Sequence, residues 1–342
     1  MNKIKIFIKL FNTITTAKLI SKKCPLFISW RITNRCNFKC SHCACWKRPG
    51  QELTYEEIRK IILFLKDQQT RFISFIGGEP IVREDIGEIL QLCKRYNIIT
   101  KITSNGSLIE KFPERIKDTN NLLLSLDGTQ NIHDEMRIKN SFTKIMSAVK
   151  WAKENNINTA FNTIISRQLI EDFDNFYQMI KSLDIPTYFQ PLESRYNATF
   201  GSIQSSQEFN SKDDNYTKSI MPSKQQMKEF SQKLLDLKKN HKGIIASSSS
   251  LIKMFAAYPT LHEINCCAGL LSFRILPNGE IVSCDRIEQN SINLKQLDDF
   301  NLKPFPHHKK CSGCWRNNTI ELNKALNMNL QSALEIGRRF LR

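Results

Sequence analysis

Between Pro25 and Leu192 the sequence alternates repeatedly between two kinds of segment. Short apolar runs, rich in β-branched and aromatic residues, read as buried strands. They are Pro25 to Ile32, Phe72 to Ile76, Ile98 to Thr103, Leu122 to Leu126, Thr159 to Ser166 and Thr187 to Leu192. Between them lie longer segments with apolar residues at helical spacing. Thr54 and Glu57 form a capping box ahead of Ile58, Ile61, Ile62 and Leu65. A helix from Arg83 carries Ile86, Ile89, Leu90 and Cys93. Phe142 to Glu154 repeats through Ile145, Val149 and Ala152, and Asp172 to Leu183 through Phe173, Phe176, Tyr177 and Ile180. Such alternation predicts parallel βαβ units. Right-handed crossovers then curl about six of them into an α/β open or partial barrel. Ligand sites in such folds lie at the C-terminal ends of the strands.

Chemistry-bearing residues fall at those ends. Directly after the first strand come Cys36, Cys40 and Cys43, spaced C-x3-C-x2-C on one loop. Three thiolates on a tight loop suit three irons of a 4Fe–4S cube and leave the fourth iron open to a ligand. Zinc is the alternative, with His42 or Cys45 as a fourth donor. Gly77-Gly78-Glu79-Pro80 follows the second strand, where glycine lets the backbone approach a ligand closely. Ser104-Asn105-Gly106 closes the third strand and Ser125-Leu126-Asp127-Gly128 the fourth. Each is also ordinary turn chemistry taken alone. Asn162 and Ser166 on the fifth strand are weaker candidates of the same kind.

In this order, the cysteine spacing and the GGEP turn resemble the radical SAM superfamily. The resemblance covers about residues 25–320 and implies a partial (β/α)6 TIM-like barrel. It implies that Cys36, Cys40 and Cys43 hold a 4Fe–4S cluster whose open iron chelates S-adenosylmethionine. One electron from the cluster then splits the sulfonium, and the resulting 5′-deoxyadenosyl radical takes a hydrogen atom from substrate. Gly77, Gly78, Glu79 and Pro80 would bind the amino group of the SAM methionine. Ser104, Asn105, Ser125 and Asp127, with Asn162, would line the rest of the SAM site. Arg137 lies in an HDEMR segment that resembles a family H-D-x-x-R, where it either pairs with an anionic group or is solvated.

A second cysteine group is C-terminal: Cys266, Cys267, Cys284, Cys311 and Cys314. Phe273 to Leu276 and Glu280 to Ser283 flank Pro277-Asn278-Gly279 and read as a β-hairpin. Cys267 before it, Cys284 after it and the Cys311-x2-Cys314 pair offer four thiols to a closed site, either structural zinc or a cluster. The pattern resembles the start of the SPASM domain; without its later cysteines it matches the shorter twitch domain, which holds an auxiliary 4Fe–4S cluster. Of the adjacent pair, Cys267 is preferred over Cys266 as ligand. Cys24, Cys45 and Cys93 read as core or incidental thiols.

The expected organisation is a basic amphipathic segment over 1–24, the barrel over 25–194, a polar linker or insertion with one helix over 195–245, the α+β hairpin-containing twitch-like unit over 246–325, and a C-terminal helix over 326–342. Within the insertion, Asn210 to Tyr216 reads as a mobile loop and Lys224 to Lys239 as a helix. Eleven cysteines without a secretory signal argue for a reducing, cytoplasmic setting. No charge-free run reaches the ~20 apolar residues that a span needs. The net charge of +17 indicates an anionic partner or a lysine-rich surface. Residues 2–23 either pack on the domain or lie on an anionic membrane surface, which would make the protein peripheral at the inner face.

No peptide-recognition domain is expected before the barrel. The substrate is expected to be a peptide or protein, ahead of a lipid, glycan or other small molecule at the membrane surface. An electron donor such as flavodoxin or ferredoxin would serve the cluster. The rival class is a non-catalytic zinc- or iron-binding module for nucleic acid. It accounts for the charge and the C-x2-C pair but not for GGEP.

Overall fold

The computed structural model of the chain describes Ile14 and residues 24–43, 45–47, 50–192, 211–241, 243–260, 266–284, 292–294, 314–315 and 317–326. Six strands form the expected parallel sheet: β1 (Phe27–Thr33), β2 (Phe72–Gly77), β3 (Ile99–Ser104), β4 (Asn121–Ser125), β5 (Asn158–Ile165) and β6 (Thr187–Pro191), each paired parallel with the next. Helix α1 (Tyr55–Asp67) starts at the predicted capping box. It is followed by α2 (Ile86–Arg95), α3 (Gln130–Met136), α4 (Ser141–Glu154), α5 (Arg167–Glu171) and α6 (Phe173–Leu183). A short 3-10 turn, Pro80–Val82, occupies the stretch before α2. Strand side chains alternate between two faces. Ile28, Trp30, Ile32, Ile73, Phe75 and Ile102 face the helices and share one core with them, each at most 2% exposed. The opposite face is the inner wall of a partial (β/α)6 barrel.

The C-terminal part closes both edges of this sheet. Strand β7 (Ser272–Ile275) pairs parallel with β1, Phe27 opposite Ser272 and Trp30 opposite Ile275. The predicted hairpin is present: β7 turns through Pro277-Asn278-Gly279 into antiparallel β8 (Glu280–Val282), and β9 (Ile292–Asn293) pairs with β8. The nine strands run in the order β6-β5-β4-β3-β2-β1-β7-β8-β9. At the other edge, Ala246 donates to the Thr187 carbonyl at 2.8 Å, and Thr187 donates to the Ile244 carbonyl at 2.7 Å. Both edges of the barrel sheet therefore have hydrogen-bonded neighbours, which blunts strand-edge association. The hairpin extends the barrel sheet, and the expected boundary at 245/246 falls inside a segment bonded to β6.

One loop expectation is corrected. Asn210 to Tyr216 was expected as a mobile loop, but Ser211–Ile220 forms helix α7. Its end is anchored by Ile220, which is buried with Met136 and Leu192. Helix α8 (Lys224–Asn240) covers the predicted 224–239, with a capping box from Ser223 and Gln226. Helices α9 (Ser249–Phe255) and α10 (Asn317–Leu326) complete the described chain. No helix among the described residues is long and apolar enough to cross a membrane. Residues 1–13 and 15–23 and the C-terminal helix expected over 326–342, from 327 on, lie outside the described residues. Ile14 packs against Cys267, Leu270 and Leu271.

Candidate functional site

The cysteine loop leaves β1 through a bulge. Arg31 pairs with Ile76, but Thr33 pairs with Gly77, so one extra residue on β1 bends the strand as it ends. The loop then runs directly against the GGEP turn. Gly78 donates to the Thr33 carbonyl at 3.0 Å and Glu79 donates to the Arg35 carbonyl at 2.9 Å. A Cβ on Gly77 would meet the Thr33 oxygen at 2.1 Å, and one on Gly78 the Arg35 oxygen at 2.2 Å. Both glycines are thus required by the backbone that carries the cysteines, a reason that the sequence pattern did not reveal.

Glu79 is the hub of the turn. Its side chain is fully buried. One carboxylate oxygen accepts from Ser104 Oγ at 2.9 Å and Ile81 N at 3.2 Å, the other from Asn105 N at 2.7 Å. Burial pushes this carboxyl up to about 7 against those donors and Arg137, which pull it down. Pro80 opens the 3-10 turn that Glu79 caps. Asn105 reaches the cysteine loop from the far side: its Nδ2 donates to Asn37 Oδ1 at 3.0 Å, and Asn37 Nδ2 donates to Ser107 Oγ at 2.8 Å. The ends of β1, β2 and β3 are therefore one hydrogen-bonded unit with the thiol loop at its top.

A second unit flanks it. Asp127 is fully buried and accepts from Arg137 Nε at 2.7 Å and Ile164 N at 3.1 Å. Burial pushes Asp127 up, but Arg137, the two imidazoles and the Ile164 N–H together hold it below the ordinary carboxylate range. Burial lowers Arg137, and Asp127 with the nearby Cys40 and Cys43 thiols more than restores it. Arg137 is thus a buried cation beside the cysteine loop, not a solvated one. His133 Nδ1 accepts from Asp127 N at 3.2 Å, and His42 Nδ1 lies 3.1 Å from the Met136 carbonyl. Burial brings both rings down to about 4, so they are neutral at pH 7.

The thiols differ in environment. Burial pushes Cys36 up to about 12 and also raises Cys40, against the pull of Arg137. Cys43 is lowered, first by a hydrogen bond with Cys45. Phe38 N donates to Cys36 Sγ at 3.4 Å. Among the described residues no three His, Cys, Asp or Glu side chains are gathered around one metal ion position. The donor set fits a cluster: three thiols on one loop, an N–H donor to sulfur, and a buried guanidinium to offset thiolate charge.

Ser125 ends β4 and its register neighbour Asn162 lies midway along β5; their side chains make no hydrogen bond among the described residues. Ser166, by contrast, caps α5 by accepting from Leu169 N at 3.1 Å. Sequence reasoning missed Glu52 and Arg83. Glu52 accepts from Thr33 Oγ1, Asn34 N and Arg35 Nε. Arg83 holds Asp85 with two bonds and donates to the Ile32 and Leu53 carbonyls. No local spacing marks Glu52, because its partners lie 17 to 19 residues away.

Residues 30–180 match the Radical SAM superfamily. Mycofactocin maturase MftC of Mycolicibacterium smegmatis is 30% identical over 165 residues, 44% of this chain and 41% of that protein. Fe-coproporphyrin III synthase of Methanosarcina barkeri is 27% identical over 166 residues, 46% of this chain and 42% of that protein. The chain thus spans about two-fifths of the length of these relatives. The structure of Streptococcus suis SuiB bound to precursor peptide SuiA superposes with a TM-score of 0.61 at 16% identity, covering 86% of this chain and 68% of SuiB. That likeness establishes the shared fold.

Of the C-terminal cysteines, Cys267 packs beside the start of β1, in a cluster that Phe27 joins. Cys267 sits in an apolar cluster with Leu270 and Leu271, and its N–H donates to Asn323 Oδ1 at 2.8 Å. The sulfur of Cys266 accepts from Ala268 N and Asn323 Nδ2, both at 3.5 Å. Cys284 follows β8 and Cys314 is buried beside Trp315. Cys311 lies outside the described residues. Cys93 is a core thiol, pushed up to about 12 by burial.

Proposed function

We propose that the chain is a radical SAM enzyme that abstracts hydrogen from a peptide or protein substrate, as a maturase does. The observation that carries this is the joined unit of the Cys36–Cys43 loop, the GGEP turn and the end of β3, centred on Glu79. Cys36, Cys40 and Cys43 would hold a 4Fe–4S cluster, and the cluster would supply the electron that cleaves SAM. The Gly77–Pro80 turn would take the SAM amino group through its carbonyls, since the N–H groups of Gly78 and Glu79 are spent on the cysteine loop. Glu79, Ser104 and Asn105 would hold that turn in place. Ser125 and Asn162 would offer their uncommitted polar groups to the rest of SAM. Arg137, fixed by Asp127, would keep positive charge beside the thiolates. The precursor-peptide complex of SuiB favours a peptide substrate.

The test is anaerobic reconstitution with dithionite and SAM. 5′-Deoxyadenosine is expected from the wild type and none from the Cys36→Ala/Cys40→Ala/Cys43→Ala variant. Turnover in that variant would refute the assignment.

For the C-terminal group we propose an auxiliary 4Fe–4S cluster held by Cys284, Cys311, Cys314 and one of the adjacent pair, Cys266 or Cys267. The N–H bonds to Cys266 Sγ favour Cys266, and the apolar packing of Cys267 disfavours the ligand preferred from spacing. About eight irons per chain are expected, four per cube. Stoichiometric zinc with about four irons would overturn this. A lipid, glycan or other small molecule remains the second substrate reading, supported by the coproporphyrin synthase relative. A flavodoxin or ferredoxin donor, a cytoplasmic setting and a peripheral membrane contact belong to the same proposal.

A further inference from the structure

Helix α10 sends a buried carboxamide into the C-terminal cysteine segment. Asn323 is 4% exposed and makes two hydrogen bonds among the described residues, both to that segment. Cys267 N donates to its Oδ1 at 2.8 Å, and its Nδ2 donates to Cys266 Sγ at 3.5 Å. The first bond fixes the second. A backbone N–H can only meet the carboxamide oxygen, so the amino end must face the sulfur. Ala268 N is another donor to the same sulfur, also at 3.5 Å. The helix is held in place independently of these bonds. Two residues before Asn323, the buried Glu321 accepts at 2.6 Å from the N–H of Ser248, the N-cap of α9. Leu322 packs on the cluster of Cys267, Leu270 and Leu271.

This arrangement suits a neutral thiol badly. Cys266, Ala268 and Asn323 are all buried. A thiol sulfur is a weak acceptor, so two buried N–H donors aimed at one thiol are poorly satisfied, and buried donors are rarely left so. A thiolate removes the difficulty, because an ionised acceptor makes charge-assisted hydrogen bonds. A buried thiolate in turn needs a counter-charge, and iron supplies one when the sulfur is a cluster ligand. Cys267 has the opposite setting. Its N–H is spent on Asn323 Oδ1, and it packs among Leu270 and Leu271, which favours the protonated thiol.

We infer that Asn323 is a positioning residue of the auxiliary cluster: its amide N–H bonds the sulfur of Cys266 as a ligand, selects Cys266 over Cys267, and raises the reduction potential of the cluster. This rests on the auxiliary-cluster reading above and deepens it. The direction follows from charge. Reduction adds one electron to the cluster and its sulfurs, and an N–H donor to sulfur stabilises the added negative charge. Removing the donor therefore makes the cluster harder to reduce.

The test uses the full-length Cys36→Ala/Cys40→Ala/Cys43→Ala chain, reconstituted anaerobically, so that the C-terminal site alone is read. Iron and zinc are counted, and the cluster is titrated with dithionite in the presence of redox mediators and followed by EPR. About four irons per chain are expected in this background. Adding Cys266→Ala should remove them, and adding Cys267→Ala should not. Asn323→Asp keeps an acceptor for Cys267 N but lacks the N–H; Asn323→Leu lacks both and adds no charge. Each is expected to lower the reduction potential by at least 59 mV, a tenfold change in the ratio of reduced to oxidised cluster for one electron. Glu321→Gln perturbs the same helix without touching a cysteine and should leave the potential in place. Urea unfolding of each variant is measured alongside.

Equal potentials in the parent, Asn323→Leu and Asn323→Asp, with four irons retained, would overturn the inference. So would iron lost in Cys267→Ala but kept in Cys266→Ala. An equal fall in Glu321→Gln would assign the effect to the packing of α10 and also overturn it. Iron lost from both Asn323 variants but not from Glu321→Gln, at an unchanged urea midpoint, would support the placement of Asn323 on a ligand sulfur. Stoichiometric zinc in place of iron would count against the auxiliary-cluster reading and take the inference with it, whereas four irons with a potential independent of Asn323 would count against the inference alone.

Discussion

Removing the Glu79 carboxylate should loosen the turn that supports the cysteine loop, and the cost can be worked from its contacts. At pH 8 the carboxyl, brought up to about 7 by burial, is charged. It then accepts from Ile81 N, Ser104 Oγ and Asn105 N. In Glu79→Ala these buried donors lose their acceptor, at roughly 1–3 kcal/mol each. The truncation also relieves the burial of charge. A shift from 4.5 to about 7 corresponds to roughly 3 kcal/mol. The net loss is therefore about 3 kcal/mol. For a chain of 342 residues that lowers the Tm by roughly 4 °C. Glu79→Gln should lose less, because one amide oxygen still serves Ser104 and Ile81 while only the Asn105 N–H faces a donor. Urea unfolding and a thermal melt of the full chain would measure both variants. SAM affinity, from the same preparations after reconstitution, should fall with stability. If Glu79→Ala unfolds within 0.5 kcal/mol of the wild type, Glu79 is not the hub of the site.

Other outcomes follow from the same contacts. Arg137→Ala strands Asp127 as a buried charge and should cost roughly 3–5 kcal/mol, read by urea unfolding; Arg137→Ala/Asp127→Asn should recover part of it. His133 is buried and neutral, with its ring brought down from 6.5 to about 4. Because the folded value is depressed, the unfolded chain takes up the proton first, and stability is lost as pH falls from about 6.5 to 4, by roughly 3 kcal/mol. His133→Gln should lack that part of the slope, visible as a difference in urea midpoints between pH 7.5 and 4.5. Gly78→Ala drives a methyl into the Arg35 carbonyl and should cost about 3 kcal/mol or more. Gly50→Ala, whose new methyl would meet only Asn34 Nδ2 at 3.6 Å, should be near neutral in the same melt.

Periodicity alone determined the order of β1 to β6 and most of the helices between them, because burial on a parallel sheet leaves unbroken apolar runs. Spacing alone placed the three thiols on one loop and the GGEP turn on the next. It also found the β7–β8 hairpin, since Pro-Asn-Gly between two apolar runs is a local signal. Helix α7 was not legible, because its polar sequence is held by packing of Ile220 on Met136 and Leu192, residues distant in the chain. The attachment of β7 to β1 and of Ile245 to β6 was equally hidden: nothing local says which edge a strand will join. The same holds within the site. Gly77 and Gly78 could be read as glycines near a ligand, but only the fold shows the Thr33 and Arg35 carbonyls lying where their side chains would be. Asp127 was legible as a strand-end residue and Arg137 as a motif match. That they meet at 2.7 Å in a buried pair was decided by the packing of α3, which ends at Arg137. Residue type and spacing are local properties and survive in the sequence; a contact between residues far apart in the chain exists only once packing has chosen one arrangement of the elements.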